Sequence, residues 1–220
     1  MEETAHIIKV ETIRRGTAQE KEADSYVAID LETTGLDPKH DKIIEIGAVL
    51  VIDGEIKETF STFVNPRREL DGRIRELTGI TGEMTAGAPD IGDVIGRVVE
   101  FCRDLPLLGH HIIFDYSFLK RAAVNKGLVF EKSGIDTLTL CRRFMPEEEK
   151  KNLENASRYY GIKQTDAHRA LADALTAHLL YRNVKRSHFS SAPEAFRCKP
   201  LVYKVKKEQP ASKKQKEVLR

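Results

Sequence analysis

The chain has 220 residues, 40% hydrophobic and 32% charged, with a net charge of +2. That length and balance suit one soluble globular domain with extensions. No apolar run approaches the ~20 residues needed to cross a bilayer, and the opening MEETAHIIKVETIRR is acidic at once and is not a secretory signal, so a cytoplasmic protein without a membrane partner is expected.

Residues 1–24 are polar, lack a clear period and are read as an N-terminal extension. A first strand is expected over about 26–31. The β-branched run IIEIGAVLVID (43–53) is a second, and Asp53-Gly54 after it marks a tight hairpin turn. EIKETFSTFVNP (55–66) alternates and ends at Pro66, as a return strand would. Ile91, Val94, Ile95, Val98, Val99 and Cys102 recur at helical spacing, and LPLLGHH (105–111) reads as another buried strand. Helices are expected over 115–127, stopped by Gly127; over 136–146, ended before Pro146; over 152–162, stopped by Gly161; and over 166–184, the longest. Strands followed by packed helices give an α/β or α+β domain over about 25–184.

Residues 185–220 form a basic C-terminal tail, flexible or docked. From Cys198 to the end there are seven Lys and one Arg against two Glu, a net +6 that leaves the preceding residues at −4. Such a tail meets a phosphate backbone or merely solvates an end. Ser212 stands three before Gln215, a capping-box pattern, but the helix it would start is too short to hold alone in water. Cys102, Cys141 and Cys198 fit no zinc spacing and are read as reduced thiols.

The stretch VAIDLETTGLDP (27–38) puts two carboxylates, Asp30 and Glu32, on one face of an apolar strand. Alternate strand residues share a face, which places them roughly 6.5 Å apart at Cα from ~3.3 Å per residue. Two acids this close are costly unless a cation lies between them, and Mg²⁺ accepts such oxygens. Asp115 follows an apolar run, where a helix cap would also suffice. Asp173 has Ala170, Ala174 and Ala177 around it on its helix, so it faces other backbone rather than solvent. His168 precedes Asp173 by five residues, or 500° of helix, about 140° away in projection. To share a site with Asp173 it must sit in or before the first turn, and Thr165 and Asp166 are candidate caps that would allow this.

Together, D30-x-E32-T-T-G-L, H110-H-I-I-F-D115-x-x-F-L and H168-R-A-L-A-D173 resemble the three motifs of the DEDDh 3′–5′ exonucleases. This DnaQ-like family includes the proofreading subunit of bacterial replicative polymerases. The resemblance spans 26–182, and LTGIT (77–81) also looks like the family. It implies an α/β, ribonuclease H-like mixed sheet flanked by helices, its first three strands antiparallel and hairpin-linked. It implies two divalent ions, Mg²⁺ or Mn²⁺, held by Asp30, Glu32, Asp115 and Asp173, with Asp30 as the bridge and His168 as general base. Backbone N–H groups of Thr33, Thr34 and Gly35 would meet the terminal nucleotide, and Leu36 would wedge against the last base. Where the family has Asn, this chain has His111, which implies an altered end preference; His110 is expected to be a structural hydrogen-bonder. The implied substrate is a single-stranded or frayed DNA 3′ end, with RNA as the alternative. A DNA polymerase subunit is the implied partner, and a binding subunit of a polymerase is the rival function.

Overall fold

The computed structural model describes residues 24–164 and 168–205. The expected N-terminal extension up to residue 23, the candidate caps Thr165 and Asp166, and the Ser212–Gln215 pattern lie outside the described residues.

Among the described residues six strands build one mixed sheet, in the order β3-β2-β1-β4-β5-β6. β1 (Tyr26–Thr33), β2 (Ile43–Ile52) and β3 (Glu55–Phe63) are successive antiparallel neighbours. Asp53 and Gly54 both take positive φ, at 51° and 78°, the geometry of a two-residue turn whose twist matches its strands. β4 (Leu107–Gly109) joins β1 in parallel, and β5 (Ser133–Asp136) joins β4 in parallel. β5 is short and was not foreseen, because SGID carries almost no strand pattern of its own.

Among the described residues seven helices flank the sheet: α1 (Gly72–Thr78), α2 (Gly82–Ala86), α3 (Ile91–Cys102), α4 (Ile112–Asn125), α5 (Thr137–Phe144), α6 (Leu153–Tyr159) and α7 (Ala170–His188). The two faces of β1 separate the layers. Val27, Ile29 and Leu31 pack with α3 and α4, while Tyr26 and Ala28 pack with α5 and α7. Fully burying a side chain such as Ile29 is worth about 1.5–3 kcal/mol. Asp30 and Glu32 continue the Tyr26–Ala28 face by strand alternation and so point toward α7.

Several boundaries differ from expectation. α4 begins at Ile112 rather than 115: the strand stops at Gly109, His111 turns the chain at φ 74°, and the apolar HIIF run belongs to the helix. α7 starts at Ala170 and runs to His188. The chain also stays on the core beyond 184. Phe196, in a 3₁₀ turn over Pro193–Phe196, is fully buried with Cys198, and β6 (Lys199–Pro200) pairs antiparallel with β5. The first residues of the basic segment are therefore the sheet's last edge. α1 and α2, short and capped by Asp71 and Thr81, carry the LTGIT stretch and were not predicted.

Candidate active site

β1 extends past β4, whose pairing ends at Ala28↔Leu108. Leu31, between Asp30 and Glu32, is then free to donate its N–H to Asp115 Oδ1 at 3.1 Å. Asp115 is no helix cap: it is the fourth residue of α4, and its carboxylate is tied to the centre of the Asp30–Glu32 pair.

Asp173 arrives from the other side. Gly47 is the register partner of Asp30, and a Cβ there would lie 2.1 Å from Leu171 N and 2.2 Å from the Ala170 carbonyl carbon. Only glycine lets the start of α7 press this closely on the sheet. His168 precedes the helix with φ 63°, and its N–H donates to Asp173 Oδ2 at 3.1 Å. This is the separate backbone path that the 140° offset demands. Donor atoms of Glu32, His168 and Asp173 all lie within 4.8 Å of one another, close enough to meet at one cation.

The first turn of α7 has no side-chain cap of its own. Glu45, the register partner of Glu32, does that work from β2. It accepts from Ala170 N–H at 3.2 Å and pairs with Arg169 at 2.9 Å. Arg169 also lies over the Phe63 ring at 5.2 Å. Gln164 donates through Nε2 to Asp173 Oδ1. Sequence reasoning missed Glu45, Arg169, Gln164 and Gly47. The usable signal was Glu45 itself, a lone acid inside IIEIGAVLVI.

The electrostatics follow from this crowding. Burial first, then Asp115, Asp173, Glu32 and Glu45, hold the Asp30 carboxyl well above the usual carboxylate range. Burial, with Asp173 and Glu45, pushes Glu32 up to about 7, against the pull of Arg169. Asp115 is also raised well above normal, chiefly by burial, although the Leu31 N–H works the other way. Burial raises Asp173 too, offset in part by Gln164 and the His168 N–H. Oxygen donors packed this way are short of positive charge, and a hard divalent cation fits that need.

Of the expected substrate contacts, Leu36 is 83% exposed beside the site. Thr34 is engaged within the chain. Its N–H is spent on the Lys42 carbonyl at 2.8 Å, and its hydroxyl meets Arg68, Asp41 and the Lys42 N–H. It braces the 34–42 loop. Thr33 Oγ1 donates to the Gly35 carbonyl at 2.7 Å. His111 is exposed, its N–H held by Asp136 Oδ1 at 2.8 Å and its ring stacked on Phe114. His110 is engaged at both ring nitrogens, with Lys151 O at 2.7 Å and Thr137 Oγ1 at 3.0 Å.

A family model described as Exonuclease, of the RNase T type, matches residues 27–181. The chain belongs to this exonuclease family. It is 43% identical over 168 residues to DNA polymerase III PolC-type of Bacillus subtilis, and 40% identical over 164 residues to that of Clostridium perfringens. These matches take in 74% of this chain but only 12% and 11% of the relatives, so the chain spans about a tenth of their length. Among solved structures, Exonuclease X in complex with 5′ overhanging duplex DNA superposes with a TM-score of 0.60 at 26% identity, over 77% of this chain and 96% of that one. E. coli Exonuclease I with a dT13 oligonucleotide shares the fold, with a TM-score of 0.66 at 19% identity over 79% of this chain and 43% of that one. The DnaQ-like family and the ribonuclease H-like sheet expected from the motifs are both present. Among the described residues no helix is long and apolar enough to cross a membrane.

Proposed function

We propose that the chain is a DEDDh-type 3′–5′ exonuclease that removes nucleotides from single-stranded or frayed DNA 3′ ends in proofreading or repair. The observation that carries this is the convergence of Asp30, Glu32, Asp115 and Asp173 with His168 at the end of β1. Two divalent ions, Mg²⁺ or Mn²⁺, would neutralise the acids and orient an in-line displacement at the last phosphodiester. Asp30, Glu32, Asp115 and Asp173 would hold these ions, with Asp30, whose carboxyl feels the other three, as the ligand they would share.

His168 stands outside the helix, exposed, within reach of the same cation position, and takes the proton of the attacking water. Asp173 holds its backbone, so acid and base move together. Gly35 and Leu36 grip the terminal nucleotide by backbone and stacking, which reads no sequence. His111, at the entry to α4, tunes end preference. Similarity to PolC-type polymerases supports work beside a DNA polymerase subunit in the cytoplasm. RNA is the alternative substrate. A binding-only polymerase subunit is the rival, and the complete acid set favours catalysis over it.

The test is an end-label assay with Mg²⁺ or Mn²⁺. A 3′-labelled strand should release mononucleotide first, and EDTA should stop it. Release from a 5′ label first, cutting of circular strands, or activity in excess EDTA overturns the proposal.

A further inference from the structure

Between the 38–43 segment and the second half of α4 lies a cleft of about 700 Å³, lined by Lys39, Lys42, Arg121 and Lys126. Asp41 is the one carboxylate among its lining residues, and it is already occupied: Arg68 Nη2 donates to it at 2.8 Å and Asp37 N–H at 3.0 Å. Asp37 feels Arg121, but its oxygens are held by Lys39 N–H at 2.8 Å and His40 at 2.7 Å. Arg121 Nε is shielded from solvent and meets no acceptor among the described residues.

Two chain segments run from the acid site into the cleft. The loop that begins at Thr33–Leu36 continues into Lys39–Lys42. On α4, Asp115, Phe118, Ala122 and Asn125 form a stripe at three- and four-residue steps, with Arg121 beside it. From Asp115 to Arg121 is about 9 Å of helix rise, and to Lys126 about 16 Å, at ~1.5 Å per residue. Strands carry a phosphate every ~3.4 Å of duplex axis, so the cations lie roughly three to five phosphates from the acids.

We propose that this cleft binds the sugar–phosphate backbone of nucleic acid several nucleotides from the end held at the four acids. The inference rests on the exonuclease reading for its direction but not for its binding chemistry. A row of cations in an open polar cleft recognises polyanions without reading bases. The backbone is that of the cleaved strand or of its complement, and the two are separable by experiment.

Binding of the full chain to single-stranded dT20, and to a 20-base-pair duplex with a 5′ overhang, is followed by fluorescence anisotropy in EDTA between 50 and 200 mM salt. Each single-strand phosphate contact contributes a slope of ~0.7 in log K against log salt. Arg121→Gln/Lys126→Gln should therefore be shallower than wild type by about 1.4 with the single strand and, at ~0.9 per duplex phosphate, by about 1.8 with the duplex, with weaker binding at low salt. If that variant does not fold, the exposed Lys42→Gln should shift the slope by about half as much. Lys57→Gln, on β3 near the hairpin end of the sheet, is the charge control. Shallowing with both probes assigns the cleaved strand, and shallowing with the duplex alone assigns the complement. Unchanged slopes with both probes, or an equal change in Lys57→Gln, overturn the cleft. Hydrolysis of thymidine 5′-(p-nitrophenyl) phosphate, whose one phosphodiester spans only the acid site, reports separately on the proposed function. Wild-type hydrolysis with unchanged slopes removes the cleft and leaves the exonuclease standing; no cleavage of ester or DNA removes the exonuclease, and the slopes still decide the cleft.

Discussion

Glu32→Gln should make the metal-free protein more stable. The Glu32 carboxyl is pushed up to about 7 in the folded chain, from an ordinary value of 4.5. A raised carboxyl means that the fold prefers the protonated form. The associated stability is fully present below the unfolded pKa and is lost as pH rises through the folded one. Between about pH 4.5 and 7 the wild type therefore loses stability, and by pH 8 the loss is complete. At ~1.36 kcal/mol per pKa unit the ceiling is about 3.4 kcal/mol; partial exposure of Glu32 screens this to about 2–3 kcal/mol. Glutamine keeps the shape and removes the charge. In EDTA at pH 8 its midpoint should rise by about 5–10 °C, at roughly 2–4 °C per kcal/mol for a chain of this size. At pH 5 the two proteins should converge, because the wild-type carboxyl is then protonated. In millimolar Mg²⁺ the order should reverse, since only the wild type gains the full stabilisation of ligand binding. Calorimetry or circular dichroism at pH 5 and 8, with and without the ion, reads all four conditions. A variant no more stable than wild type in EDTA at pH 8 would refute the claim that burying Glu32 beside Asp173 and Glu45 costs the fold.

Gly47→Ala should lower both stability and turnover. The new Cβ meets backbone at 2.1 Å, so α7 must shift at a cost of about 1–3 kcal/mol, and a shift near 1 Å at Asp173 would cost on the order of 10²-fold in rate. Melting and single-turnover rates check this, and wild-type values in both would contradict it. Arg169→Gln leaves Glu45 buried without its ion pair. With the Arg169 side chain 42% exposed, the loss should be about 2–3 kcal/mol rather than the ~3–5 of a fully buried pair, as read by denaturant midpoint. His168→Ala should lose ~10²–10⁴-fold in turnover across pH 5–9 while keeping metal and DNA affinity. Lost Mn²⁺ affinity would make His168 a ligand instead, consistent with its place within 4.8 Å of Glu32 and Asp173 donors.

Much of the site was legible because its chemistry repeats along the chain at strand and helix periods. Asp30 and Glu32 share a face by alternation alone, and the small residues around Asp173 signalled its burial. The start of α4 was misread because Ile112–Phe114 are as apolar as a strand, and only the left-handed turn at His111 decides between the two. The Glu45–Arg169 clamp joins positions 124 apart in sequence, and no local pattern announces such a pair. The role of Gly47 is likewise set by α7, which it meets only in the folded chain. The Thr34 N–H, expected to be offered to a nucleotide, is given to the Lys42 carbonyl, a partner set by the return of the 34–42 loop.

The most direct test of the account is a titration of Mn²⁺ into the full chain, wild type against Asp30→Ala, by isothermal calorimetry in the presence of a short non-hydrolysable oligonucleotide. The proposed two-metal arrangement predicts two ions per wild-type chain, and loss of both when Asp30 is removed. Unchanged binding in Asp30→Ala, or no binding by the wild type, would contradict it.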